Sequence, residues 1–331
     1  MFLGEILSIG VAISWTATAL FAEVASKRIG SLPLNVARMV FSLLLFVLTL
    51  WVIMGVPYPR FADASTWVWL LLSGVVGYVL GDYCLFQGYI LIGSRFGQLF
   101  MTLSAPAAAL TGRLLLGEQM RPLAIVGMCV TLAGIALSIL SKNDGTQAAG
   151  THASPFRLKL PLKGVLYACG AGICQGIGLV VSKGGMEAYH AAIATQGLDG
   201  QLVPDGALLP IPLYLSLPFA ATMIRTFIGL AGFMLLLMLF SKDGAGQLRR
   251  AARDRKSMLC AFASTFFGPF FGVSLSLLAA QYTSTGVAQT LFALTPILLI
   301  APAALLFHQR VTVREVIGAC VSVTGACLFF F

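Results

Sequence analysis

Residues 99–119 read LFMTLSAPAAALTGRLLLGEQ, and residues 290–310 read TLFALTPILLIAPAALLFHQR. Both stretches are almost entirely apolar, and their prolines, Pro106 and Pro296, stand 190 residues apart. A pair of glycines seven residues apart follows each stretch: Gly127 with Gly134, and Gly318 with Gly325. Matching helix breakers and glycines at a fixed offset indicate that one structural unit occurs twice in this chain.

The composition is that of a membrane protein. Of the 331 residues, 58% are hydrophobic and 10% are charged, whereas soluble domains average about 45–50% and about 25%. One crossing of a bilayer core needs roughly 20 apolar residues, and about ten stretches are long enough. We therefore predict an all-α polytopic membrane protein with about ten transmembrane helices. The predicted spans are 4–25, 33–54, 67–91, 97–116, 123–140, 164–184, 217–240, 258–281, 285–307 and 313–331.

A polar linker at residues 142–162 divides these spans into two sets of five. We assign residues 1–141 to a first five-helix repeat and residues 163–331 to a second, which contains an external loop at 186–216. Because each repeat holds an odd number of helices, the second enters the bilayer upside down relative to the first. The sequence thus predicts two inverted repeats around a central cavity, where solute sites usually lie.

The basic residues sort by side of the membrane. Fifteen Lys and Arg residues lie in or beside the connections that follow odd-numbered spans, and two follow even-numbered spans. The positive-inside rule therefore places both termini outside the cytoplasm in a multi-pass protein of the inner membrane. The run RRAARDRK (249–256) is interpreted as an anchor near anionic lipid. The net charge of +9 does not form a basic domain, so we predict no nucleic-acid partner.

Chemical motifs for cofactors are missing from the sequence. The seven cysteines all fall inside predicted spans without a CxxC pattern, and His152, His190 and His308 are far apart. We predict no metal and no cofactor. The sequence contains no P-loop, so direct coupling to ATP is not expected. The Gly81–Asp82 dipeptide resembles that of membrane aspartyl proteases, but no other span supplies a second Asp, so we predict no enzyme activity.

Several short motifs resemble the EamA-type branch of the drug/metabolite transporter superfamily. These are LLLGE at 114–118 after a proline-bearing helix, and Trp15 and Lys183 at positions where that family often has Trp and, eight residues later, Lys. The chain departs from the family pattern at Glu23, Gln175 and His308. The resemblance implies ten helices around a central cavity and export of amino acids, metabolites or drugs. It also implies cytoplasmic termini, contrary to the charge distribution.

Asp82 is the most informative polar residue, since it lies near the centre of the third predicted span. A charge at that depth costs roughly 2.5–3.5 kcal/mol on insertion scales. Tyr78 shares its helical face, and Gln87 lies nearby. Asp82 is interpreted as a cavity carboxylate that binds a substrate ammonium or takes up a proton, or else as a structural hydrogen-bonding residue between helices.

Arg38 and Arg225 occupy comparable points early in the second helix of each half. Each either recognises a substrate carboxylate or extends to the membrane interface, and Arg225, which is deeper, is the stronger candidate for solute contact. Trp15 and Gln175 also correspond, 160 residues apart. Both are candidate substrate-binding residues, although packing is the alternative role for Trp15.

Polar residues precede both prolines: Gln98 and Thr102 come before Pro106, and Gln289 comes before Pro296. We predict that the two prolines kink their helices and free a backbone carbonyl one turn earlier. The polar residues then either line the cavity and bind solute or satisfy those carbonyls.

Glu23 and Lys183 form a pair of opposite sign at matching positions, toward the end of the first helix in each half. One interpretation is a gate or coupling element, with opposite charges at the two cavity mouths. The alternative is that both groups simply lie near lipid headgroups.

Taken together, these features predict a secondary transporter that exports amino acids or similar small metabolites by alternating access. Its partners are a small solute, the lipid bilayer and, as a candidate coupling ion, protons through Asp82 or Glu23. Monomer and homodimer are equally compatible with the sequence. A multidrug or lipid-linked solute carrier on the same fold is the alternative, and an intramembrane enzyme is a remote one.

Overall fold

The computed structural model describes residues 3–116, 122–142, 156–158, 160–196, 213–282, 291–307 and 312–328. Almost all of this backbone is helical, which confirms the predicted all-α fold class. Among the described helical segments, six are long and apolar enough to cross a membrane, as a polytopic membrane protein requires.

The first half is a succession of helices joined by short connections. Its helices are α1 (Leu3–Ile29), α2 (Ser31–Met54), α3 (Ala64–Gly74), α4 (Tyr83–Phe100), α5 (Ser104–Leu116) and α6 (Pro122–Ile139). An eight-residue π-helix, Val75–Asp82, joins α3 to α4 and is called π segment 1 below. A 3-10 turn, Met101–Leu103, joins α4 to α5.

The described elements of the second half follow a similar order, with one additional short helix. Its helices are α7 (Leu162–Thr195), α8 (Leu213–Phe240), α9 (Gly244–Arg253), α10 (Arg255–Thr265), α11 (Ser274–Tyr282), α12 (Thr295–Phe307) and α13 (Val313–Leu328). A second eight-residue π-helix, Phe266–Val273, joins α10 to α11 and is called π segment 2. Strand β1 (Leu140–Lys142), which ends where the predicted linker begins, pairs antiparallel with strand β2 (Phe156–Leu158) inside the linker.

The predicted start of the external loop at residue 186 is wrong, because α7 continues to Thr195. The glycines at 184 and 185 suggested a helix end, but they instead allow close approach of α3: a Cβ on Gly185 would lie 2.5 Å from Leu70. The added turns are held by the buried Tyr189, whose hydroxyl donates to the Arg60 carbonyl at 2.5 Å.

The backbone break in the first half lies at Gly93, where φ is +80° and α4 changes direction. Pro106, for which a kink is predicted, is the third residue of α5 and directly follows the 3-10 turn. Pro296 is the second residue of α12, within its first turn, where a missing N–H costs little. Non-helical backbone angles inside the helix are thus found at Gly93, and the helix with Pro106 begins directly after a 3-10 turn.

α3 and α10, the corresponding helices of the two halves, begin with the same kind of N-cap. Asp63 precedes α3 and accepts a hydrogen bond from the Thr66 N–H at 2.8 Å, and Asp254 precedes α10 and accepts one from the Ser257 N–H at 3.2 Å. Both are N-caps, in which a carboxylate satisfies a free N–H of the first turn. Each cap leads, through one short helix, into one of the two π segments.

The halves interdigitate, because the first helix of each half packs against the third of the other. α1 lies along α10, π segment 2 and α11, and α7 lies along α3, π segment 1 and α4. The Ser14 hydroxyl of α1 donates to the Phe267 carbonyl at 2.6 Å, and the Ser73 hydroxyl of α3 donates to the Gly178 carbonyl of α7 at 2.8 Å. Apolar clusters lie at both ends of α2, around Leu34 and around Met54.

The closest pairing joins α6 to α13 through reciprocal glycine contacts. A Cβ on Gly134 would lie 2.3 Å from the Ser322 nitrogen, and a Cβ on Gly325 would lie 2.3 Å from the Thr131 nitrogen. Residue numbers rise along one helix as they fall along the other, so the two helices are antiparallel. Such backbone proximity is possible only where side chains are missing.

We expect Gly134→Ala to lower the free energy of unfolding by about 1–3 kcal/mol, since the added methyl must push the two backbones apart. Thermal unfolding of the purified protein in detergent measures this. Gly170→Ala is the matched control, because its Cβ would meet only the Cys84 sulfur at 3.6 Å, and Ala favours a helix over Gly by about 0.5–1 kcal/mol. Equal destabilisation by both substitutions would contradict the packing argument.

Candidate solute-binding site

A cavity of about 140 Å³ lies at the centre of the described helices. This is close to the size of an engineered cavity of about 150 Å³ that binds benzene. Side chains from both halves line the cavity, and eight of them are predicted binding residues: Trp15, Arg38, Tyr78, Asp82, Gln98, Thr102, Gln175 and Arg225. The interface between the halves thus brings together residues far apart in the chain.

Asp82, at the end of π segment 1, is the anionic centre of the cavity. Its Oδ2 accepts a hydrogen bond from Arg38 Nη1 at 3.0 Å, and its Oδ1 accepts one from Gln175 Nε2 at 3.2 Å. Arg38 Nη1 also donates to Asn35 Oδ1 at 3.2 Å. The Arg38 and Asp82 side chains are only 4% and 8% exposed, so neither charge could be buried without the other.

Arg225 lies on another wall of the same cavity and is 5% exposed. Its guanidinium stands over the Tyr78 ring at 4.7 Å, as that of Arg38 stands over the Phe86 ring at 4.5 Å. Within the described part of the chain, Arg225 has neither a salt bridge nor a hydrogen bond, and its Nε is buried without a partner. Its guanidinium is therefore enclosed by protein.

Glycines of the two π segments make room for these side chains in matching ways. A Cβ on Gly77 would lie 3.0 Å from Arg225 Nη2, and one on Gly268 would lie 3.0 Å from Arg38 Nη2. Next to them, a Cβ on Gly81 would meet Gln175 at 3.3 Å, and one on Gly272 would meet Trp15 at 2.7 Å. The predicted equivalence of Trp15 with Gln175 and of Arg38 with Arg225 therefore has a direct counterpart in contacts.

The π segments also present backbone carbonyls that side chains from the other half satisfy. Gln175 Nε2 donates to the Gly77 carbonyl at 3.2 Å, and Ser14 donates to the carbonyl of Phe267. π-helical turns are rare and frequently occur at functional sites. Here π segment 1 places Tyr78 and Asp82 in the cavity wall, whereas π segment 2 contributes Gly268, Pro269 and Val273.

The remaining predicted residues divide into several groups. Gln98 donates to the Tyr89 hydroxyl at 2.6 Å, and Thr102 lines the cavity while its hydroxyl donates to the Leu99 carbonyl at 2.7 Å. Gln87 is half-buried on α4 and does not line the cavity. Gln289 lies outside the described residues. Pro296 lines the cavity, whereas Pro106 does not.

Most of the apolar wall was not predicted from the sequence. Thr18, Phe86 and Phe292 line the cavity, as do Leu277 and Pro269 of the second half. The helical spacing from Asp82 to Phe86 and from Trp15 to Thr18 was the available signal. Phe292 gave no such signal, because a phenylalanine is ordinary in an apolar span.

Glu23 does not line the cavity but joins α1 to the break in α4. Its carboxylate is fully buried and accepts a hydrogen bond from the Ser94 N–H at 2.6 Å. Ser94 follows Gly93 and starts the second part of α4, so Glu23 caps a new helix from another element. Lys27 forms an ion pair with Glu23 from the next turn of α1. Lys183, on α7, is half-buried and does not line the cavity.

Two further ion pairs involve residues next in sequence to the partners of Glu23. Arg28, one residue after Lys27, contacts Asp254 at 2.8 Å, and Arg95, one residue after Ser94, contacts Glu315 at 3.3 Å. We call Glu23, Lys27, Arg28, Arg95, Asp254 and Glu315 the ionic cluster.

The Ser257 hydroxyl, which donates to Asp254 at 2.8 Å, lowers the pKa of this aspartate, and the Ser257 N–H and Arg28 act in the same direction. Because the pKa is lowered on folding, this contact stabilises the fold above the ordinary aspartate pKa of about 3.9 and is lost as the pH falls through the lowered value.

The cavity offers a small solute both positive and negative groups as well as aromatic faces. The described residues contain no cluster of His, Cys, Asp or Glu that could hold a metal ion. Among the cavity-lining residues Asp82 is the carboxylate, and its partner is Arg38 rather than a second carboxyl group.

Comparisons with known proteins agree with this architecture. The crystal structure of another protein superposes with a TM-score of 0.51 and 16% sequence identity, covering 98% of this chain and 95% of its own, which indicates a shared fold. No curated protein sequence matches the chain. The sequence model of the EamA-like transporter family matches residues 2–140 and 215–331, which is most of the chain. This protein therefore belongs to the EamA-like transporter family, as its short motifs had suggested.

Proposed function

We propose that this protein is a secondary transporter that exports amino acids or similar small metabolites across the inner membrane by alternating access. The observation that carries the proposal is the central cavity, which buries Arg38, Asp82 and Arg225 between the two halves. Ionisable residues within transmembrane segments are rare and mark solute or ion pathways and proton relays. Membership of a transporter family supports the same conclusion.

Ten membrane crossings fit the helices described above. The segment Ala64–Leu115 has 52 residues, which is about 78 Å of helix at 1.5 Å per residue and enough for two crossings, with the break at Gly93 between them. The shorter helices α6, α12 and α13 supply three more crossings beside the five remaining long segments. Each half then contains five.

The two halves are proposed to be inverted repeats. Support comes from the reciprocal contacts of α6 with α13, since equivalent helices that pack antiparallel are related by a two-fold axis perpendicular to their length. The packing of α1 against α10 and of α7 against α3 fits the same two-fold relation. A two-fold axis in the membrane plane suits alternating access, because one half can then open toward one side of the membrane in the way that the other half opens toward the opposite side.

The ionic cluster is proposed to be the closed cytoplasmic gate. Its members lie where α1, α4, α10 and α13 meet basic connections, and the positive-inside rule assigns such connections to the cytoplasm. The same rule keeps both termini outside. The exposed Arg249, Arg250 and Arg253 of the amphipathic α9 fit a surface helix next to anionic lipid. Opening of the gate has to release Glu23 from the Ser94 N–H.

A multidrug carrier is the second candidate, and the aromatic wall formed by Trp15, Phe86, Tyr89 and Phe292 favours it. The Arg38–Asp82 pair and the second arginine favour a polar metabolite instead, since bulky apolar cations would leave these groups desolvated and uncompensated. We therefore rank metabolite export first.

The direct test is flux into vesicles that contain the purified protein, with amino acids, small organic acids and cationic dyes as solutes, with and without a pH gradient. We expect saturable flux of at least one small metabolite class above that of protein-free vesicles. Flux of cationic dyes alone would favour the multidrug alternative, and a lack of flux for every class would overturn the proposal.

Asp82→Asn is expected to remove the dependence of flux on the pH gradient, because it replaces the carboxyl group of the cavity that a coupling proton would occupy. Initial rates at several pH values measure this. Asp63→Asn is the control, since Asp63 is an exposed N-cap far from the cavity and Asn caps a helix equally well. An unchanged pH profile with a full rate in Asp82→Asn would remove Asp82 from the coupling mechanism.

Glu23→Gln is expected to weaken the gate, because the charge that caps the helix after Gly93 is lost. One charge-assisted hydrogen bond contributes about 1.5–3 kcal/mol. Without it, the thermal midpoint in detergent should fall, and the passive leak of solute should rise. Glu187→Gln, at an exposed glutamate of α7, should change neither quantity. If Glu23→Gln matched the wild type in midpoint and leak, the ionic cluster would not act as a gate.

A further inference from the structure

The fixed charges of the cavity do not cancel. Among its described lining residues, the charged side chains are Arg38, Arg225 and Asp82. A guanidinium stays protonated at any physiological pH, so two positive charges face one negative charge. Asp82 contacts Arg38 directly at 3.0 Å, which leaves the charge of Arg225 as the excess.

Arg225 has the surroundings of a ligand-binding group. It is more than nine-tenths buried, it lines the cavity, and its guanidinium lies against the Tyr78 ring. Its Nε is buried without a partner, whereas Nη1 and Nη2 form the end of the guanidinium, the edge that a planar acceptor in the cavity would contact. A carboxylate matches that edge with two parallel hydrogen bonds.

The same geometry argues against a solute ammonium. Both carboxylate oxygens of Asp82 are already acceptors, one for Arg38 and one for Gln175. An ammonium in the cavity would therefore meet a net positive field without an unshared carboxylate among the described lining residues. The rest of the wall, including Phe86, Leu277 and Phe292, suits a compact apolar body.

We infer that the solute is a small organic monoanion whose carboxylate binds Arg225 and whose apolar body packs against Phe86 and Phe292. This inference rests on the proposed transport function and narrows its solute class: carboxylates without an ammonium group are preferred to zwitterionic amino acids and to cations. Arg225 thereby becomes the residue that determines specificity.

Binding of four probes to the purified protein tests the inference by calorimetry. Benzoate, benzamide and benzylamine have nearly the same shape but are anionic, neutral and cationic, and phenylglycine carries both charges. We expect benzoate to bind most tightly. Hydrogen bonds to charged groups are worth about 1.5–3 kcal/mol, so benzamide should bind about 10- to 100-fold more weakly.

Arg225→Gln should reduce benzoate affinity to that of benzamide while leaving benzamide affinity unchanged. Arg225→Lys keeps the charge without the planar fork and should retain an intermediate preference for benzoate; it also provides a folded variant if the glutamine does not yield one. Arg113→Gln, at an exposed arginine near the end of α5, is the matched control and should bind all probes as the wild type does.

Equal or tighter binding of benzylamine, benzamide or phenylglycine than of benzoate by the wild type would overturn the inference. So would an unchanged preference for benzoate in both Arg225 variants. Failure of the transport proposal looks different, because vesicles would then show no flux of any solute class even though benzoate binds through Arg225.

Discussion

The Arg38–Asp82 ion pair is the interaction on which the centre of this protein depends. Both side chains are almost fully buried in a chain that is 58% hydrophobic, and an unpaired charge in such surroundings would be very costly. Pairing makes the burial possible, and Gln175 completes the coordination of Asp82 from the other half. Because α2, π segment 1 and α7 each supply one member, this small network holds helices of both halves around the cavity.

Matching glycine contacts of the two π segments build much of this centre. Each half contributes a π segment with two glycines, and each pair of glycines accommodates one arginine and one side chain from a first helix. The frame is therefore symmetric, whereas the chemistry is not, because Asp82 corresponds to an apolar position in π segment 2 and Trp15 corresponds to Gln175. That difference leaves one arginine neutralised and the other available to a solute.

The sequence was sufficient for the fold class and for much of the candidate site, because an ionic or amide side chain stands out in an apolar span. Asp82, Arg38 and Gln175 were identified in this way. The break at Gly93 was not, since its carboxylate cap, Glu23, comes from another helix. The length of α7 was underestimated for a similar reason: the glycines at 184 and 185 accommodate Trp69 and Leu70 of α3, a contact that no local pattern reveals.

The most direct test of the central ion pair is a double-mutant cycle with Arg38→Gln, Asp82→Asn and the double variant, in which the free energy of unfolding is measured in detergent or bicelles. If the two charges compensate one another, each single substitution should cost about 3–5 kcal/mol because it strands a buried charge. The double variant should then cost clearly less than the sum, with a coupling energy of about 1.5 kcal/mol or more. Additive effects would contradict the account, since they would mean that the cavity holds its charges independently.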